Sequence, residues 1–172
     1  LGRHLITTAF EHSSVTACFG WLQNQGFDVD FLETDSTGRV RPESLSQLLR
    51  PDTILVSVGA LNGEIGIPQP LGAIGEILRS HPYAVFHSDI TQAVGKISLD
   101  LEDVDLASFS AHKFYGPKGI GALVRKTDVL LEAQIHGGRS TSDLRSGTPA
   151  LPLIVAMETA LRKTLSEFSG SL

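Results

Sequence analysis

The sequence predicts one α/β domain spanning residues 1–172, with a mostly parallel sheet flanked by helices. Three observations predict it. Short runs rich in Val, Ile, Leu and Phe alternate with segments of helical periodicity. Turn-forming Gly, Pro, Asp and Ser punctuate them. No internal repeat, low-complexity stretch or linker divides the chain.

Taken in order, residues 4–10 read as a strand. A helix follows from Ser13, because Val15, Cys18, Phe19 and Leu22 repeat at i, i+3, i+4 and i+7. Gly26 ends it through glycine's ease in left-handed geometry. Residues 27–33 form a short strand and Asp35-Ser36-Thr37-Gly38 a turn. Pro42 opens a short helix carrying Leu45, Leu48 and Leu49. Residues 53–58 read as a buried strand, and residues 71–80 as a helix with Leu71, Ile74, Ile77 and Leu78 inward. Further strands are expected at 83–87, 106–110 and 119–124. A loop rich in glycine and hydroxyls covers 136–149. The last helix starts near Ala150, with Leu151, Ile154, Val155 and Leu161 available for packing.

Composition narrows the function. The 172 residues are 41% hydrophobic and 19% charged, ordinary for a globular domain with a sizeable core. The net charge of -5 speaks against nucleic acid or an anionic membrane as partner. No apolar run is long enough to span a bilayer. Cys18 is the sole cysteine, so no disulfide forms within the chain, and a reducing, cytoplasmic setting is expected. Leu1 in place of Met, with a strand already under way, suggests a chain that starts and stops inside a larger protein.

In open α/β sheets, ligands sit beyond the carboxyl ends of the strands. Ser88-Asp89 and Ser110-Ala111-His112-Lys113 both fall there. On an extended segment Ser110 and His112 share a face and suit a phosphate. Flanking aromatics partly desolvate Lys113, which favours a nucleophilic amine; the competing reading is a solvated surface lysine. Asp89 fits beneath a protonated pyridine ring, with Gln92 near the ring's hydroxyl; alone, it reads equally as a helix cap. His12 is placed to stack on a flat ligand or to cap the first helix. His87, Asp89 and His112 match no metal-site spacing, and Lys113 would repel a cation, so no metal is expected.

Residues 110–123, Ser110-Ala111-His112-Lys113-Phe114-Tyr115-Gly116-Pro117-Lys118-Gly119-Ile120-Gly121-Ala122-Leu123, resemble the cofactor-lysine segment of the cysteine desulfurases. That family lies in the class V branch of pyridoxal-phosphate (PLP) enzymes. His87-Ser88-Asp89-Ile90-Thr91-Gln92-Ala93-Val94-Gly95-Lys96 is similar to its pyridine-binding segment. Glu11-His12, Glu64-Ile65-Gly66, Ile135-His136-Gly137-Gly138 and Arg145-Ser146-Gly147-Thr148 also fit, in the family's order. The resemblance implies that Lys113 joins the cofactor covalently, Asp89 pairs with the pyridine nitrogen, and Gln92 bonds the phenolic oxygen. It implies that His12 stacks on the ring and moves protons, and that Ser110 and His112 hold the phosphate. Thr148 would reach the phosphate of the other subunit of a homodimer.

The activity implied is conversion of L-cysteine to L-alanine, with sulfur passed through an enzyme persulfide to an acceptor protein for iron–sulfur clusters or tRNA thiolation. The alternatives are a selenocysteine lyase, another class V aminotransferase, or a catalytically silent fragment. Three departures stand out. The family's paired asparagines are Asn62-Gly63 here, which leaves Asn62 as the substitute amide. Arg139 replaces a glycine. The sulfur-accepting cysteine, the substrate-carboxylate arginine and the small domain are expected beyond Leu172, and a glycine- and threonine-bearing phosphate loop before Leu1. Cys18, among apolar helix positions, is expected to be a core residue and not the nucleophile.

Overall fold

The computed structural model describes residues 2–138 and 142–169. Its elements are β1 (His4–Thr7), α1 (Ser13–Asn24), β2 (Asp28–Phe31), α2 (Pro42–Leu48), β3 (Thr53–Ser57), α3 (Leu71–Leu78), β4 (Val85–Asp89), β5 (Leu106–Ser110), β6 (Gly121–Arg125) and α4 (Leu151–Ser169). The six strands form one sheet in the order β2-β1-β3-β4-β5-β6. The first five are parallel; β6 pairs with β5 antiparallel. The α/β class and the mostly parallel sheet are therefore as the sequence predicts.

Alternation along the strands divides the sheet's two faces. Ile6, Val56 and Phe86 are register partners across β1, β3 and β4. They form a buried row in one apolar cluster with Leu45 of α2 and Ile74 and Leu78 of α3. The opposite face carries Leu5, buried like Phe19 of α1 but apart from that cluster. Further along, the same face turns polar, with Ser57, His87 and Ser108.

Several boundaries moved for local reasons. β1 stops at Thr7 because Thr8 turns the chain: its hydroxyl accepts from Phe10 N at 3.2 Å and donates to Glu11 Oε1 at 2.9 Å. β4 begins at Val85, leaving Tyr83 in solvent. The Asp35 turn forms as expected, the carboxylate accepting from the backbone N–H groups of Thr37 and Arg39.

Two packing expectations fail. Cys18 is exposed, its thiol donating to the Ser14 carbonyl at 3.1 Å; in α1 only Phe19 is fully buried. On α4, Leu151, Ile154 and Val155 are exposed, while Met157, Ala160 and Leu161 pack against the core. Among the described residues no helix is long and apolar enough to cross a membrane.

Candidate active-site cleft

Strand order reverses between β1 and β3: the chain leaves β1 for β2 on one side, then returns to β3 on the other. Such a switch point leaves a crevice at the carboxyl ends of the strands. A cleft of about 920 Å³ opens there. Residues after β1 (Thr8 to Ser14), after β3 (Gly59 to Ile65), at the end of β4 (Asp89, Thr91, Gln92) and around the end of β5 (Ser108 to Ser110, His112, Lys113) line it.

Seven of the eight residues singled out from sequence therefore meet in one place: His12, Asn62, Asp89, Gln92, Ser110, His112 and Lys113. Thr148 does not join them; it is exposed in the loop before α4. Arg139 lies outside the described residues.

The local geometry of the lysine segment differs from the extended one read from sequence. β5 ends at Ser110, and Ala111–Lys113 form a single 3₁₀ turn. Ser110 faces the cleft from the end of β5, whereas His112 and Lys113 reach it by way of that turn and not by strand alternation. Nor do the flanking aromatics cover Lys113, which is exposed. Phe114 turns into the core, stacking at a tilt on Phe109 with ring centroids 5.8 Å apart, and Tyr115 is 93% exposed. Tyr115 adopts φ 67°, a conformation uncommon for a non-glycine residue. The next position must be glycine: a Cβ on Gly116 would lie 2.8 Å from the Ala111 Cβ and 2.9 Å from its carbonyl oxygen.

Asp89 has its carboxylate at the strand end, where Oδ1 accepts from Thr91 N at 2.9 Å. Two residues back on the same face, His87 is clasped between hydroxyls of the neighbouring strands. Its Nδ1 lies 2.8 Å from Ser57 Oγ and its Nε2 3.0 Å from Ser108 Oγ. Burial pushes the His87 pKa below the usual histidine value, against the pull of Asp89. The ring is therefore neutral at pH 7 and serves as a cross-strand tie. Among the described residues no three His, Cys, Asp or Glu side chains cluster as a metal site.

His12 caps α1, its Nδ1 accepting from Ser14 N at 3.2 Å, while its ring still lines the cleft. Asn62 is engaged at both ends of its amide, by its own loop and by the segment after β1. Its Oδ1 accepts from the backbone N–H of Glu64 and Ile65, and its Nδ2 donates to the Phe10 carbonyl.

Glu11 is a cleft residue that sequence reasoning did not single out. Its Oε1 accepts from Thr8 Oγ1 and from Gly59 N at 2.8 Å, tying the end of β1 to the segment after β3. Burial raises its pKa above the ordinary glutamate value; the bonds from Gly59 and Thr8 oppose that, and the charge of Asp89 adds to it. A raised acid pKa means the folded state favours the proton, so the stability Glu11 contributes at low pH is lost as pH rises through the folded value. Glu11→Gln keeps the acceptor oxygen and removes the ionisation. The variant is expected to melt above wild type at neutral and alkaline pH and to converge with it below pH 4.5, as thermal melts across a pH series would record.

The donor set suits a flat anionic aldehyde such as pyridoxal phosphate. An amine, a carboxylate, two imidazoles and a hydroxyl all line one crevice. Fold and cleft together define a class, and the comparison with protein families agrees: the chain belongs to the aminotransferase class-V family, whose model matches residues 1–169. Within it, the chain is similar to cysteine desulfurase IscS of Methylococcus capsulatus, 48% identical over 98% of this chain and 43% of that protein. Among solved structures it is similar to a NifS-like protein, with TM-score 0.94 and 40% identity over 98% of this chain and 47% of that one. It is also similar to SspA in complex with cysteine, with TM-score 0.88 and 38% identity over 94% of this chain and 47% of that one. The chain thus spans less than half the length of these relatives.

Proposed function

We propose that this chain supplies the cofactor-binding domain of a PLP-dependent cysteine desulfurase. The observation that carries the reading is that Lys113 and Asp89, from adjoining strand ends, line the same cleft. Overall, L-cysteine and an enzyme thiol become L-alanine and an enzyme persulfide, which supplies a sulfur-acceptor protein for iron–sulfur clusters or tRNA thiolation. The likeness to SspA, solved with cysteine, supports that substrate.

PLP, when bound, supplies an electron sink for negative charge at the substrate α-carbon. Lys113 holds it covalently and, once displaced by the substrate amine, carries a proton on Nζ. Asp89 keeps a proton on the ring nitrogen by pairing with it. Gln92 donates to the phenolic oxygen, Ser110 and His112 bind the phosphate, and His12 stacks on the ring. Thr148, outside the cleft of its own chain, is assigned to the phosphate of a second subunit in a homodimer. Cys18 does not line the cleft, so the sulfur-accepting thiol is assigned to a residue outside this chain.

On this reading the isolated chain captures PLP without turning over. The test is to add PLP to the purified chain, reduce with borohydride and map the pyridoxyl adduct. A single adduct on Lys113 is expected. Modification spread across Lys96, Lys118 and Lys126 would sink the assignment.

A further inference from the structure

Gln92 is held in one orientation by two residues that have no other evident task in the cleft. Lys96, four residues on, donates from Nζ to Gln92 Oε1 at 2.9 Å. An ammonium has donors only, so the oxygen of the Gln92 amide must be the end that faces it. The amide nitrogen is thereby turned away, and no acceptor among the described residues takes its hydrogens. It rests against Gly63 in the loop after the neighbouring strand β3: a Cβ there would lie 2.7 Å from Gln92 Nε2 and 3.0 Å from its Cδ. Gly63 and Gln92 both line the cleft. Lys96 also lies within electrostatic reach of Lys113. Burial lowers the Lys96 pKa first, and the neighbouring Lys113 charge lowers it further.

We propose that Lys96 and Gly63 are positioning residues that lock the Gln92 amide with its N–H groups toward the cleft, as the donor reserved for an anionic oxygen of the bound ring. Lys96 fixes which end of the amide faces inward. Gly63 leaves the space in which that end sits. Asn62 is already engaged at both ends of its amide, by the Phe10 carbonyl and by the Glu64 and Ile65 N–H groups, which leaves one of its two N–H hydrogens against the two of Gln92. The inference rests on the PLP reading above and deepens it.

The experiment titrates the purified chain and its variants with PLP, measuring affinity and the pH midpoint of the absorbance band of the lysine-bound cofactor. Lys96→Met frees the amide to turn its oxygen inward. Affinity should fall about three- to tenfold, the worth of one hydrogen bond. The pH midpoint should rise, because the anionic ring oxygen loses a donor. Lys96→Arg, which keeps a cationic donor, should restore most of both. Gly63→Ala should move both in the same direction as Lys96→Met by pushing the amide aside, with thermal melts close to wild type in all three variants. If Lys96→Met and Gly63→Ala leave affinity and midpoint unchanged while the wild-type borohydride adduct still forms on Lys113, the inference is overturned and the PLP reading stands. Absence of that adduct from wild type would overturn both.

Discussion

Lys113→Ala is expected to abolish covalent capture of PLP by this chain, leaving no borohydride-stable adduct at residue 113 and none concentrated elsewhere. In a complete desulfurase of the proposed kind it should reduce turnover by at least about a thousandfold, since both the covalent link and its proton carrier would be removed. The other lysines give the internal comparison. Lys126 is paired with Asp105 at 3.3 Å, Lys163 with Glu167 at 3.8 Å, Lys96 is bonded to Gln92, and Lys118 is exposed beyond the turn. None of the four lines the cleft, whereas Lys113 does. An amine nucleophile chosen by proximity should therefore be unique to Lys113. Folding is not at risk: Lys113 is exposed, and the turn is anchored by buried Ala111 and Phe114 on either side. A variant that still traps PLP at one site would place the covalent chemistry elsewhere.

How much of this was legible beforehand depends on what each signal measures. β5 was read at its observed bounds because an apolar run ended abruptly in polar residues. The direction of β6 was not, since a period of two is the same in parallel and antiparallel strands. Periodicity also overstated burial. The apolar stripe of α1 promised a buried Cys18, but the sheet covers only the part of the stripe nearest Phe19. α4 is similar, its first turns leaving Leu151 and Val155 exposed.

The cleft was more legible than the packing. Its residues cluster near strand ends, and a polar cluster after an apolar run marks the neighbourhood of such an end even where the boundary itself shifts, as β1 and β4 did by two or three residues. Glu11 was noted in the resemblance but given no role, because that role depends on the Gly59 amide, 48 residues away. A hint was present in Thr8, three residues before an acid at the end of a strand. His87 was set aside as a metal ligand but could not be read as a tie, because its partners Ser57 and Ser108 belong to two other strands.

The charge balance around Asp89 leads to the second large effect. Among the described residues no Lys or Arg forms an ion pair with it. His87, the nearest basic group on its own strand, is held neutral by burial. Glu11, across the cleft wall, adds negative potential and does not relieve it. A carboxylate so placed lacks a cation, and a protonated ring nitrogen would supply one. Asp89→Asn removes the charge while keeping an oxygen to accept from Thr91 N, so the strand end should be preserved. PLP affinity should nevertheless fall about 100-fold, the scale of breaking one partner of a desolvated ion pair. Asp89→Ala, which removes the acceptor as well, should lose the same affinity and in addition lower the melting temperature. Binding by Asp89→Asn within twofold of wild type would mean that the ring's nitrogen finds its counter-charge somewhere else.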